Sequence, residues 1–140
     1  MGKINVGRVI LGGLLAGLVI NVGESIRNLA IAGERMELAY RELNLQPPGG
    51  GTIGAFIVLG FALGILMVWL YAAIRPRFGA DAKTAILAGF FVWLFAWLWP
   101  GIVDGLMGLF DADLIVFVVV WGLLEILAAA IAGAWLYRES

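Results

Sequence analysis

Four long apolar runs constrain this chain more than any other feature. They lie at about 8–30, 53–74, 84–106 and 114–137, and each holds roughly the 20 apolar residues a helix needs to cross the hydrocarbon layer of a bilayer. A backbone in lipid must satisfy its own hydrogen bonds, and runs of this length do so as helices. The expected fold is all-α: a polytopic membrane protein with four transmembrane helices in an antiparallel bundle, one membrane domain over 1–140. The first run also resembles a secretory signal, with Lys3 and Arg8 before it and Ala30-Ile31-Ala32 near its end. It is long for a signal and is interrupted by Glu24 and Arg27, so it reads as a span.

Composition removes whole classes of function. The chain is 63% apolar and 14% charged, with a net charge of −1, which argues against a nucleic-acid partner. It has no Cys and no His, which excludes thiol chemistry, imidazole-ligated haem, common zinc sites and Ser-His-Asp catalysis. No metal site, no cofactor and no enzymatic activity are expected. An acid pair of Asp104 and Glu125 has neither a nucleophile nor a protease motif beside it.

Basic residues set the orientation. Lys3 and Arg8 precede the first run, Arg75, Arg77 and Lys83 separate the second and third, and Arg138 follows the fourth. On the other side stand Arg35 and Arg41, balanced by Glu34, Glu37 and Glu42. Six against two places both termini in the cytoplasm, in a multi-pass protein of the cytoplasmic (inner) membrane. Between the first two runs, Met36, Tyr40 and Leu43 recur at helical spacing, with Glu37 and Arg41 four apart on the polar side. That pattern predicts an amphipathic helix over 33–46 on the outer surface, stopped by Pro47-Pro48 and the glycines after them.

Polar residues inside the spans are few and patterned. At 100° per residue, Gly13, Gly17, Asn21, Glu24 and Asn28 fall within about 80° of one another, so span one carries a small, polar stripe that should face protein. Gly13 and Gly17 form G-x-x-x-G, a spacing that admits close helix approach; Gly60 and Gly64 repeat it in span two, and Gly101 and Gly105 bracket Asp104 in span three. Pro100 should loosen or end the third helix. The candidate polar site is Glu24, Arg27, Asn21, Asn28, Asp104 and Glu125. Arg27 is the only cation at that depth, so at least one of the three acids must be hydrated or protonated. Trp93, Trp97 and Pro100 share a face expected to meet lipid and anchor the outer interface, with stacking on a ligand as the alternative.

Taken together, "GGLLAGLVINVGE", "WLYAAIRPRFG" and "AGAWLYRE" resemble signature stretches of an uncharacterised family of small bacterial four-span membrane proteins, over nearly the whole chain. The resemblance implies the four-span plan and a bacterial membrane, and brings no assigned activity. Two functions remain open. The first is association: a homo-oligomer or an accessory subunit of a larger membrane complex, held by the glycine stripe. The second is a small proton- or cation-coupled transporter in which Glu24, Asp104 and Glu125 line an outward-open cavity.

Overall fold

The computed structural model describes residues 3–139, which are mostly helical with no strand among them. The helices are α1 (Val6–Ile26), α2 (Gly33–Glu42), α3 (Gly50–Phe78), α4 (Ala82–Trp93), α5 (Trp99–Leu106) and α6 (Ala112–Leu136). Four stretches are long and apolar enough to cross a membrane: Val6–Ile31, Gly50–Phe78, Ala82–Leu106 and Ala112–Leu136. Each begins two or three residues before the run expected from hydropathy, and in the first and third a capping side chain lies ahead of the apolar stretch. The Asn5 side chain accepts from the Arg8 amide at 3.1 Å, and the Asp81 side chain accepts from the Thr84 amide at 3.0 Å. That amide, the largest influence on it, holds the exposed Asp81 carboxyl below its ordinary value.

The far ends correct the sequence reading in two places, and at Pro100 the helix loosens rather than ends. The second span runs beyond 74, carrying Pro76 in its last turn, and stops at Gly79, whose φ of 102° suits glycine. The outer helix ends at Glu42 rather than 46. Asn44 adopts φ 55°, the Leu45 amide reaches back to the Tyr40 carbonyl at 2.8 Å and the Asn44 amide to Arg41 at 3.1 Å, which is a Schellman closure with Asn in the left-handed position. Pro100 does not end the third helix. Residues Leu94–Leu98 widen into a π-turn closed by the Trp99 amide on the Leu94 carbonyl, and the helix continues to Leu106. This wider turn lies just ahead of the proline, which lacks the N–H a regular ladder needs. A second π-turn, Arg27–Ile31, closes span one through the Ala32 amide on the Arg27 carbonyl at 2.7 Å.

Small residues set the packing. α1 lies against both α3 and α6, while α4 lies against α6 and α3. A Cβ on Gly17 would stand 2.7 Å from Phe61 Cα, and one on Gly13 would stand 2.6 Å from Ile65 Cγ1. Asn21 donates to the Ile57 carbonyl at 3.1 Å further along. Partners in α3 thus descend as those in α1 ascend, so the two run antiparallel. The same holds for α1 and α6, where Gly12 meets Gly133 at one end and Gly23 meets Glu125 at the other. In lipid there is little hydrophobic drive for helices to associate, so such backbone approaches and the van der Waals contact they allow are what hold the bundle.

The tryptophans divide differently from the expectation of a lipid face. Trp93 is buried, and its Nε1 donates to the Val119 carbonyl at 2.8 Å. The Trp97 ring fills the space over Gly122. Trp99 points outward at 64% exposure. The indole N–H of Trp93 explains the inward turn, because in an apolar medium a donor finds its acceptor within the protein. Trp-Leu-Tyr occurs twice, at 69–71 and 135–137; the tryptophans, Trp69 and Trp135, are exposed, whereas Tyr71 and Tyr137 are buried and meet edge to face at 5.9 Å. Arg75 lies 5.5 Å over the Tyr137 ring and 3.9 Å from Glu139, fastening the end of α3 to the end of α6.

Candidate functional site

The last turns of α1 and the π-turn that follows carry "NVGESIRN", and these side chains point in separate directions. Glu24 and Arg27, three residues apart, form an ion pair at 2.5 Å. The Arg27 side chain is only 10% exposed, and its Nε and Nη2 also donate to Asn28 Oδ1 at 3.4 Å. Asn28 thus extends the guanidinium's set of partners. Asn21 lies elsewhere: its amide clamps α1 to α3 beside Gly60, away from the charges. Of the six polar positions picked out by sequence, Asn21 is a packing residue.

Glu125 reaches the same cluster from α6. It is 7% exposed, and Oε2 accepts from Trp121 Nε1 at 3.2 Å; that N–H is shared with the Gly23 carbonyl, also at 3.2 Å. The carboxyl occupies the space a side chain at 23 would take, since a Cβ there would stand 2.8 Å from Glu125 Cδ. Gly23 therefore lets Glu125 lie along α1, which brings its carboxyl beside that of Glu24. Glu24 Oε1 and Glu125 Oε1 are buried without a partner. Two ionised carboxylates are both acceptors, so this contact becomes a hydrogen bond only when one of them holds a proton.

Two hollows flank the pair. The first, about 320 Å³, lies under α2, with Glu24, Arg27 and Asp104 on its wall and Met36, Trp97 and Phe110 among its apolar lining. An ion pair between Arg35 and Asp113 pins α2 to the start of α6 beside it. The second is a groove of about 490 Å³ between α1 and α6, lined by Leu18, Val19, Val22, Gly23, Ile26, Trp121, Leu124 and Glu125. The three acids therefore do not share one cavity. Asp104 and Glu24 line the first hollow, and Glu125 lines the second. Among the described residues no hydrogen bond or ion pair joins Asp104 to either glutamate.

Of the glycines, Gly13, Gly17, Gly60 and Gly64 all serve the α1 and α3 contact within the chain. Gly101 takes Val119 at 2.8 Å from where its Cβ would be, and Gly105 meets only Ile115 at an ordinary 3.4 Å. Sequence reasoning passed over Gly23, the residue that admits Glu125, and gave Trp121 no bonding role. The signals were a glycine directly before an intramembrane acid and a tryptophan four residues before another.

No protein-family model, curated protein or solved structure matches the chain.

Proposed function

We propose that this protein is a small membrane carrier that exchanges a proton for a cation at the facing carboxyls of Glu24 and Glu125. The observation that carries the reading is the meeting of a half-buried carboxyl, Glu24, and a buried one, Glu125, with one guanidinium, Arg27, beside a hollow that has three charged groups on its wall and an apolar groove. With both acids ionised the cluster holds one uncompensated negative charge, which costs several kcal/mol away from water (about 2.5–3.5 even on permissive insertion scales). Neutrality is reached with one proton or with one bound cation. Either excludes the other, and mutual exclusion is the physical basis of exchange.

Association, as a homo-oligomer or within a larger complex, loses the feature that first suggested it. Gly13 and Gly17 pack on α3 of their own chain, so the stripe no longer speaks for a partner. The charge bias of the loops and the family resemblance support a bacterial cytoplasmic membrane with both termini inside.

The test is flux. In liposomes loaded with a pH-sensitive dye and made acidic inside, external cation should drive proton efflux through the wild-type protein, and Glu125→Gln or Glu24→Gln should abolish it while the protein stays folded. Equal flux through the variants and the wild type would sink the reading.

A further inference from the structure

The four oxygens of the neighbouring carboxyls divide into two kinds. Glu24 Oε2 accepts from Arg27 Nη2 at 2.5 Å, and Glu125 Oε2 accepts from Trp121 Nε1 at 3.2 Å. The other oxygen of each, Glu24 Oε1 and Glu125 Oε1, is buried without a partner. The donors also differ: Glu24 has a cation and Glu125 a neutral indole.

We infer that a single proton sits on Glu125 Oε1, beside Glu24, and that Trp121 is the positioning residue that keeps it on that oxygen. This deepens the exchange reading above, on which its role in transport rests, by naming the acid that gives up the proton. Two acids with one guanidinium reach neutrality with one proton, and the donors choose between them. Protonating Glu24 would exchange its charge-assisted bond to Arg27 for a neutral one, roughly half as strong, and would move the negative charge away from a guanidinium whose side chain is only 10% exposed. Glu125 has no cation bonded to it, and Val22, Ile26 and Leu124 are among its surroundings. A neutral carboxyl suits that company. Within Glu125 the indole N–H can only donate, so Oε2 is the carbonyl oxygen and the hydroxyl falls on Oε1. There it has Glu24 Oε1 as its acceptor, and one proton satisfies both orphan oxygens. The indole is itself held to α1, because its N–H is shared with the Gly23 carbonyl at 3.2 Å. From span one, Glu24 and Arg27 stand by this carboxyl, while Asp104 of the third span shares the hollow with Glu24 and bonds to neither glutamate. α3 meets α6 with Tyr71 and Arg75 at the opposite end of the bundle, and Lys83 lies in the first turn of α4.

The test is infrared absorption of the full-length protein at neutral pH, in alkyl maltoside micelles, which add no ester carbonyl. A protonated carboxyl gives a carbonyl-stretch band apart from the amide and carboxylate bands, and the wild type should show a single such band that shifts on deuteration. Glu24→Gln and Glu125→Gln should each remove it, since either leaves one acid with Arg27. Arg27→Gln should raise its area about twofold, because two acids without a cation need two protons. Trp121→Phe assigns it: with the indole N–H gone, the band should keep its area and move to higher frequency. Trp93→Phe, which removes the indole bond to the Val119 carbonyl, should leave the band in place. Should Trp121→Phe fold poorly, aspartate variants keep the charge count, and Glu125→Asp should move the band while Glu24→Asp leaves it. Absence of the band overturns the inference, as does a band that follows Glu24→Asp, ignores Trp121→Phe or disappears with Asp104→Asn. The band is read without transport, so its failure leaves exchange to the flux assay. Flux that fails beside a band behaving as expected ends exchange and leaves the proton on Glu125.

Discussion

Gly64→Ala should unfold the bundle more readily by about 3 kcal/mol. A Cβ at 64 would stand 2.5 Å from the Gly13 carbonyl oxygen and closer still to the Gly17 amide nitrogen, and both are backbone atoms that no rotamer change can move aside. Ordinary carbon contacts lie at about 3.5–4.0 Å, so α1 and α3 must part by roughly 1 Å. A gap of that size forfeits about a quarter to a half of each contact's attraction. Over a few tens of atom pairs at about 0.1–0.2 kcal/mol each, the loss is about 2 kcal/mol. The Asn21 bond to the Ile57 carbonyl, now 3.1 Å, would open as well, adding about 0.6 kcal/mol or somewhat more. Gly54→Ala is the matched control: it lies in the same helix, and a Cβ there would meet nothing within 4 Å. The assay is SDS-driven unfolding in mixed micelles, followed by far-ultraviolet circular dichroism at two protein concentrations. A Gly64→Ala penalty within about 0.5 kcal/mol of the Gly54→Ala value would refute the claim that this glycine sets the helix separation. A penalty that shrinks with rising protein concentration would return the stripe to an interface between chains.

Trp93→Phe should lose about 1 kcal/mol in the same assay, because the indole N–H bond to the Val119 carbonyl disappears, whereas Trp99→Phe, on an exposed side chain, should lose nothing measurable. Asp81 should give stability an acid limb: its folded value lies below the ordinary 3.8, so the cap contributes fully above that pH and is lost as pH falls through the lower folded value. Thermal unfolding followed down through that window should show the limb in the wild type, and Asp81→Asn, which keeps a capping oxygen, should flatten it.

Hydropathy made the four spans legible, and the glycine spacing marked which residues touch backbone. It did not say which backbone. Gly13 and Gly17 read as well for a foreign helix as for α3, because a spacing of small residues describes closeness and carries no address. The tryptophans of "FFVWLFAWLWP" were misplaced for a related reason. A span apolar all round has no polar face to orient it, so periodicity cannot separate lipid from core. The charged site was half visible. Glu24 and Arg27, three apart in one helix, announce their pairing, while the meeting of Glu24 with Glu125 depends on the antiparallel seating of α6 on α1 and on the missing side chain at Gly23.

The π-turn at Leu94–Leu98 gives the third span one residue more than its direction requires. Each π-turn accommodates an extra residue in a ladder that otherwise repeats every 3.6. Removing one residue from this turn would let it close as ordinary helix with Trp93 and Asp104 still facing the way they face now. Removing one from the regular stretch before Trp93 would swing everything beyond it by about 100°. Related chains should therefore vary in length by one residue in this segment and hold their length elsewhere in the span, so that a single-residue gap in an alignment would be the signature of this turn.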